Sequence, residues 1–207
     1  NDEPVLADID SPVTLNEDED ITITVEATDA DEDALTYSCE DSADITCTAT
    51  GANILITPSD DWHGSQDITI GVLDGNTGSD TQTITVIVNP VNDAPEFTDI
   101  AATASLTEGG STTITVEAFD VDTATIGDVL SYSCTPSTNI DCSVANTNEI
   151  TFSSDWNGGT EDIIITVDDQ QGADNSQTTA TVSVTVIGEN DEPVLADIDS
   201  PVTLNED

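Results

Sequence analysis

Whatever chemistry this chain performs is carried by carboxylates. Its 207 residues include 44 Asp and Glu, a single His and neither Lys nor Arg, a formal net charge of −44. The acids recur in fixed places. Glu17 and Glu108 close a first apolar run, and Asp29-Ala30-Asp31 and Asp120-Val121-Asp122 end a second. Asp61 and Asp155 each precede a Trp, and Asp74 and Asp169 end a sixth run. Asn92-Asp93 and Asn190-Asp191 stand where one stretch of the chain passes into the next. In Asp-x-Asp at the end of an extended strand, both side chains project to the same side and form a pincer for one hard, oxygen-seeking cation. Two carboxylates about 5 Å apart repel by roughly 3 kcal/mol at an effective dielectric of 20. A divalent ion reverses that sign. No side chain here is a permanent cation, so the countercharge must come from outside, and bound metal ions are its expected source.

Other chemistries fit less well. His63 follows Asp61 and lies among serines, but Asn157 holds its place in the second half of the chain, so no Ser-His-Asp catalyst is expected and the chain is read as a non-enzyme. Asp29 to Glu40 imitates an EF-hand loop, yet position six is Ala34 instead of Gly and the flanks are strand-like. Nucleic acid is excluded as a partner, because phosphate binding needs Lys and Arg, and anionic membrane surfaces are excluded likewise. No apolar run is long enough to insert in a membrane, and no signal peptide opens the chain. Trp62 and Trp156 are expected under the edge of a sandwich. There is no Lys for an isopeptide crosslink and no Asn-x-Ser/Thr sequon.

The elements that must position these acids read as strands. Apolar residues alternate with Thr or Ser in runs such as Ile21-Thr22-Ile23-Thr24-Val25 and Val182-Ser183-Val184-Thr185-Val186, the period of a half-buried strand. Residues 1–18 recur without change at 190–207, which marks the chain as a window on a longer tandem array. A diverged repeat runs at half that period. Thr22-Ile23-Thr24-Val25-Glu26-Ala27 matches Thr113-Ile114-Thr115-Val116-Glu117-Ala118, and Tyr37-Ser38-Cys39 matches Tyr132-Ser133-Cys134. Asp61-Trp62-His63-Gly64 is set against Asp155-Trp156-Asn157-Gly158, and Asn1-Asp2-Glu3-Pro4 against Asn92-Asp93-Ala94-Pro95. The expected organisation is one repeat over 1–91, a second over 92–189, and the first strand of a third over 190–207.

Each repeat is expected to hold seven strands, near 4–15, 21–28, 35–39, 45–50, 53–57, 67–73 and 81–89, with equivalents near 95–106, 112–119, 129–134, 141–144, 148–152, 161–167 and 178–187. Turn residues such as Asp74-Gly75-Asn76 punctuate them, which argues for antiparallel, immunoglobulin-like sandwiches. With almost no linker between repeats, the sandwiches are expected to meet end to end. The cysteines form two pairs of identical spacing, Cys39 with Cys47 and Cys134 with Cys142, each read as a disulfide across a hairpin. Such a short loop contributes about 2–3 kcal/mol in the chain-entropy model, and it places the protein outside the cell.

The Val-Asn-Asp-Ala-Pro passage and the Thr-Val-Glu-Ala-x-Asp-x-Asp strand resemble the cadherin-like tandem repeats of large bacterial and archaeal surface proteins. The resemblance covers the whole chain and implies an all-β fold of tandem seven-stranded Greek-key sandwiches with calcium (Ca2+) between successive domains. Carried onto this sequence, it implies one junction built by Glu17, Asp61, Asn92, Asp93, Asp120, Asp122 and Asp169. A second would use Glu108, Asp155, Asn190 and Asp191. Asn1, Asp2, Asp29, Asp31 and Asp74 would form the downstream half of a third. The sequence departs from the family where Pro90 and Gly188 replace the acid that opens the linker, so fewer ions per junction are expected.

The expectation is therefore a calcium-stabilised extracellular fibre or adhesin stalk, with neighbouring repeats as its first partners and other fibres or cell surfaces beyond them. The alternatives are an adhesin module that binds carbohydrate or its own kind, and an acidic surface adapted to high salt with no specific metal.

Overall fold

The computed structural model describes residues 1–124, 129–172 and 175–195. From residue 196 onward, the expected first strand of a third repeat lies outside the described residues. The chain divides into two compact units. The first is Asn1–Ala94 with the described parts of 120–129 and 171–176, and the second comprises Pro95–Phe119, 130–170 and the chain from Gln177.

In the first unit the strands are β1 (Val5–Leu6), β2 (Val13–Asn16), β3 (Ile21–Thr24), β4 (Ala27–Thr28), β5 (Thr36–Glu40), β6 (Ile45–Thr50), β7 (Asn53–Pro58), β8 (Gly64–Leu73) and β9 (Ser79–Asn89). A four-stranded sheet in the order β2-β9-β8-β5 faces a three-stranded sheet β3-β7-β6, and β1 pairs with β4. The second unit repeats the plan with β10 (Glu96–Asp99), β11 (Thr103–Thr107), β12 (Gly110–Thr115), β13 (Glu117–Phe119), β14 (Ser131–Thr135), β15 (Asp141–Asn146), β16 (Glu149–Ser154), β17 (Gly159–Asp168) and β18 (Gln177–Ile187). Its sheets run β11-β18-β17-β14 and β12-β16-β15, with β10 on β13. Both units are all-β sandwiches, as the alternation predicts.

Period two fills the cores. Ile68, Ile70 and Val72 of β8, Ile84, Val86 and Val88 of β9, and Ile54 and Ile56 of β7 are buried, while Thr69, Thr85, Ile87 and Leu55 between them are more exposed. Ile163, Ile165, Val182, Val184, Val186, Ile150 and Phe152 do the same in the second unit. Trp62 and Trp156 are half-buried against these cores. Each covers a glycine with φ +147°: a Cβ on Gly64 would stand 3.1 Å from the Trp62 ring, and one on Gly159 would fall inside the Trp156 ring. The partner of Gly64 is thus Gly159, not Gly158: two residues separate Trp156 from its glycine and one separates Trp62 from its own, although the turn as a whole is shorter in the second unit, 155–158 against 59–63.

Two further expectations change. The first strand of each repeat is split, because after Leu6 the chain leaves β4 and crosses to the other sheet, where Val13–Asn16 pairs in parallel with Val86–Asn89. Pro12, with no N–H to donate, sits in that crossing. The disulfides Cys39–Cys47 and Cys134–Cys142 form with Cα–Cα distances of 6.1 and 6.2 Å, but they do not span hairpins. Cys39 is on β5 of the four-stranded sheet and Cys47 on β6 of the three-stranded one, so each bond ties the two sheets together at their edge.

Candidate metal centre

Glu17 follows β2 where the parallel pair β2–β9 ends. Its N–H donates to the Asn89 carbonyl at 3.0 Å, continuing the ladder by one residue. Pro90 then ends β9, and the Val91 N–H turns back to donate to Glu17 Oε1 at 2.6 Å. Glu17 Oε2 lies 3.1 Å from His63 Nδ1. The carboxylate is buried, 3% exposed, and both of its oxygens are engaged. Asp18 and Asp61, both left-handed with φ 59° and 55°, are joined by the Asp61 N–H donating to Asp18 Oδ1 at 3.1 Å.

Asp93 stands beside this loop within the first compact unit. Its N–H donates to Asp122 Oδ2 at 2.7 Å, and the Asp122 N–H donates to Asp120 Oδ1 at 2.8 Å. Asp120 and Asp122 are 2% and 3% exposed. Their placement differs from the expected strand-end pincer, because Asp122 lies in a 3-10 turn, Val121–Ala124, and the Asp120 side chain caps that turn. One oxygen each from Glu17, Asp93 and Asp122 lie within 4.8 Å of one another, and so do one each from Asp18, Asp61 and Asp93. Asp93 belongs to both sets. Burial, followed by the charges of Asp122, Asp18, Asp61 and Glu17, pushes its carboxyl up to about 6. Burial, then Asp18, Asp60, Glu17 and Asp122, raises Asp61 as well.

The same backbone device occurs around Asn1-Asp2. The Asp2 N–H donates to Asp31 Oδ2 at 2.7 Å and the Asp31 N–H to Asp29 Oδ1 at 2.8 Å. Asp29, Asp31 and Asp33 bring oxygens within 4.8 Å of one another. Asp74 is buried, with Oδ1 accepting the N–H groups of Asn76 and Gly78 and Oδ2 accepting Asn1 Nδ2 at 2.7 Å. The Asn1 amide first, then those backbone donors, hold its carboxyl below the usual range.

The remaining expected residues are more scattered. Glu108 repeats the Glu17 brace, with its N–H to the Ile187 carbonyl at 2.9 Å and the Glu189 N–H to its Oε2 at 3.1 Å. Asp155 is exposed before Trp156, and Asp169 is buried after β17. Asn92 and Asn190 each donate a side-chain N–H to the next residue's carbonyl, of Asp93 and Asp191, at 2.9 and 3.3 Å. Among the described residues no three-carboxylate set includes Glu108, Asp155, Asp169 or Asp191.

Sequence reasoning missed Asp18 and Asp33. Asp18 was hidden because Gly109 holds its place in the second repeat, although an Asp aligned with a Gly is itself a sign of the left-handed position that both residues occupy. Asp33 was hidden because Ala124 stands where a third Asp would continue the pattern.

These groups fit a hard divalent cation. All donors are oxygens, Asp93 Oδ2 and Asp29 Oδ2 are buried without a hydrogen-bond partner among the described residues, and each belongs to a three-carboxylate set. With the geometry in view, comparison with known proteins places the fold. Residues 1–87 match the family model described as a bacterial Ig domain. A crystal structure of human protocadherin-24 EC1-2 superposes with a TM-score of 0.52 at 20% identity, covering 92% of this chain and all of the other. In fold, this chain is a cadherin-like, Ig-like tandem repeat. A curated relative, chitinase A of Pseudoalteromonas piscicida, is 35% identical over 129 residues, which is 60% of this cadherin-like chain but only 15% of the chitinase. Among the described residues no helix is long and apolar enough to cross a membrane.

Proposed function

We propose that this chain is a structural segment of a long extracellular fibre or adhesin stalk in which calcium holds successive repeats in fixed relation. The observation that carries the reading is Asp93: one carboxylate shared by two acidic sets, with a buried oxygen that no donor among the described residues satisfies. Glu17, Asp93 and Asp122 would hold one ion, and Asp18, Asp61 and Asp93 a second. Bound calcium supplies the positive charge that the chain lacks and fills six to eight oxygen positions, some with water. The protein's own part is to bring the acids together: the Val91 N–H and His63 orient Glu17, and the Asp93 N–H orients Asp122. Once the repulsion among them is neutralised, the 91–93 passage is fixed to the loop after β2. The affinity expected of an extracellular module of this kind is about 10⁻⁴–10⁻³ M. The disulfides and the cadherin-like fold support a place outside the cell, with neighbouring repeats as partners.

The chitinase relative favours a second reading, a spacer or binding module inside a larger polysaccharide-acting protein. Trp62 and Trp156 are half-buried against their own cores and glycines, which makes each a packing residue first and ranks this reading below the first. Small-angle scattering of the full chain tests the stalk. In millimolar calcium it should be stiff, with chelation shortening and broadening its distance distribution. An unchanged profile on chelation would defeat the proposal.

A further inference from the structure

The crossing of the first strand between sheets leaves something behind. The Val25 N–H donates to the Ala52 carbonyl at 2.9 Å, so residues 21, 23 and 25 face β7 and the even-numbered residues turn their backbone groups the other way. Glu26 is in that second series, and its carbonyl accepts the Ala7 N–H at 2.8 Å. At Ala7 the cover ends. Gln82 pulls the next residues to the opposite sheet, its Oε1 accepting the Ile9 N–H and its Nε2 donating to the Ile9 carbonyl, both at 3.0 Å. The Thr85 N–H donates to Ser11 Oγ at 3.0 Å and completes the transfer. Among the described residues β3 is paired only with β7, so the backbone groups of Thr22 and Thr24 face an uncovered edge.

A groove of about 340 Å³ opens there. Val13, Ile23 and Val25 supply its apolar lining, and the exposed carboxylates Asp8, Asp10 and Glu26 stand on its rim. An uncovered strand edge beside an apolar cleft accepts an added strand, whose backbone bonds give affinity and whose alternate side chains give specificity. The rim sets the sign of that specificity. Since this chain has no Lys or Arg, a second copy would bring only more negative charge.

We propose that the vacated β3 edge is a docking site for an extended segment of another protein carrying alternating apolar and Lys or Arg residues. The apolar side chains enter the cleft over Ile23 and Val13, the backbone pairs with Thr22 and Thr24, and the cationic heads meet Asp8, Asp10 and Glu26. At the corresponding place in the second unit, Ala101 stands for Asp10 and Ala104 for Val13, so this repeat offers less of both attractions.

The test uses the full chain in excess calcium at 150 mM salt, with the labelled peptide acetyl-Lys-Val-Lys-Val-Lys-Val-Lys-amide as probe. The triple variant Asp8→Asn, Asp10→Asn, Glu26→Gln should weaken binding at least tenfold. A control removing as many charges elsewhere, Glu96→Gln, Asp141→Asn, Asp162→Asn, should change it less than twofold. Hydrogen exchange should slow at Thr22 and Thr24 when the probe is added. Thr24→Pro, which deletes an N–H outside the β3–β7 ladder, should weaken binding while circular dichroism stays unchanged. Equal losses from both triple variants would reduce the effect to bulk charge and overturn the proposal. So would binding without protection at Thr22 and Thr24, or self-association of the wild type that Thr24→Pro abolishes.

Discussion

The loop after β2 and the loop after β11 are built on the same brace. In each, a Glu extends a parallel strand pair by one backbone bond, to Asn89 or Ile187, and then accepts an N–H from two residues further on, Val91 or Glu189. What surrounds the brace differs. Glu17 is followed by Asp18, which receives the Asp61 N–H, and its second oxygen meets His63. Glu108 is followed by Gly109, and Asn157 stands in the place of His63. The backbone device is therefore general to the repeat, while the inventory of carboxylates belongs to each copy. Capacity for an ion follows from the residues placed on a common scaffold.

The largest effects should appear where the two copies differ in the turn beneath the tryptophans. Gly159→Ala places a Cβ inside the Trp156 ring at a φ that L residues rarely adopt, whereas Gly64→Ala meets the Trp62 ring at 3.1 Å with the same φ. Gly159→Ala should cost about 3 kcal/mol or more, the sum of backbone strain and overpacking, and Gly64→Ala about 1–2 kcal/mol less. Denaturant unfolding of both variants measures this. Equal costs would mean that the extra residue between Trp156 and Gly159 does not tighten the Trp–Gly contact.

Glu17→Gln and Glu108→Gln compare the braces themselves. The amide still accepts the Val91 or Glu189 N–H, so the fold should persist in both. Calcium affinity by titration calorimetry should fall at least tenfold for Glu17→Gln, about 1.4 kcal/mol, and less than twofold for Glu108→Gln. Equal losses would show that the brace binds the ion without Asp18, Asp61 and Asp93.

Much of this was legible in the chain. Alternating Thr and Val gave the strands, and the repeated Asp-x-Asp and Asn-Asp pairs pointed to acids that the fold does bring together. Alternation, however, tells which side a residue faces and not which sheet its strand joins. For that reason the split between β1 and β2, and the disulfides that link sheets instead of hairpin strands, could not be read from it. The Asp-x-Asp geometry was hidden for a related reason: strand periodicity implied parallel carboxylates, whereas Asp120 and Asp29 bend back to cap their own turns. Asp33 and Asp18 dropped out because half-period matching discards whatever one copy lacks.

Acidity separates the Asp93 set from its counterparts by a smaller amount. Without calcium, the Asp93 carboxyl titrates near 6 in the folded protein against an ordinary value of 3.8. Well below 3.8 it is protonated in both states and contributes nothing. As pH rises towards 6 the unfolded chain releases its proton first, so stability falls over that window and stays lowered above it. Calcium-free protein should therefore melt a few degrees higher at pH 5 than at pH 7, with roughly 4–8 °C expected per kcal/mol in a domain of this size. Asp93→Asn should lose that share of the slope, and calcium at pH 7 should abolish it. A wild-type slope that Asp93→Asn leaves unchanged would assign the effect to the general negative charge.

The smallest expected effect asks whether the inventory can be transplanted. Gly109 has φ +68° with open space where a Cβ would go, and Asp18 holds the equivalent left-handed position at φ 59°. Asp tolerates that conformation better than most residues, so Gly109→Asp should cost less than about 1 kcal/mol. The new carboxylate would stand beside Glu108 and ahead of Trp156, where Asp18 stands to Glu17. One more acid without the matching Asp61 geometry should add repulsion before it adds an ion site, because Asp155 directly follows β16 whereas Ser59 and Asp60 carry Asp61 away from the end of β7. Thermal melts should accordingly show a slight loss in chelator that calcium only partly restores. Full restoration with a new calcium isotherm would show instead that the side-chain inventory alone, and not the length of the Trp turn, separates the two braces.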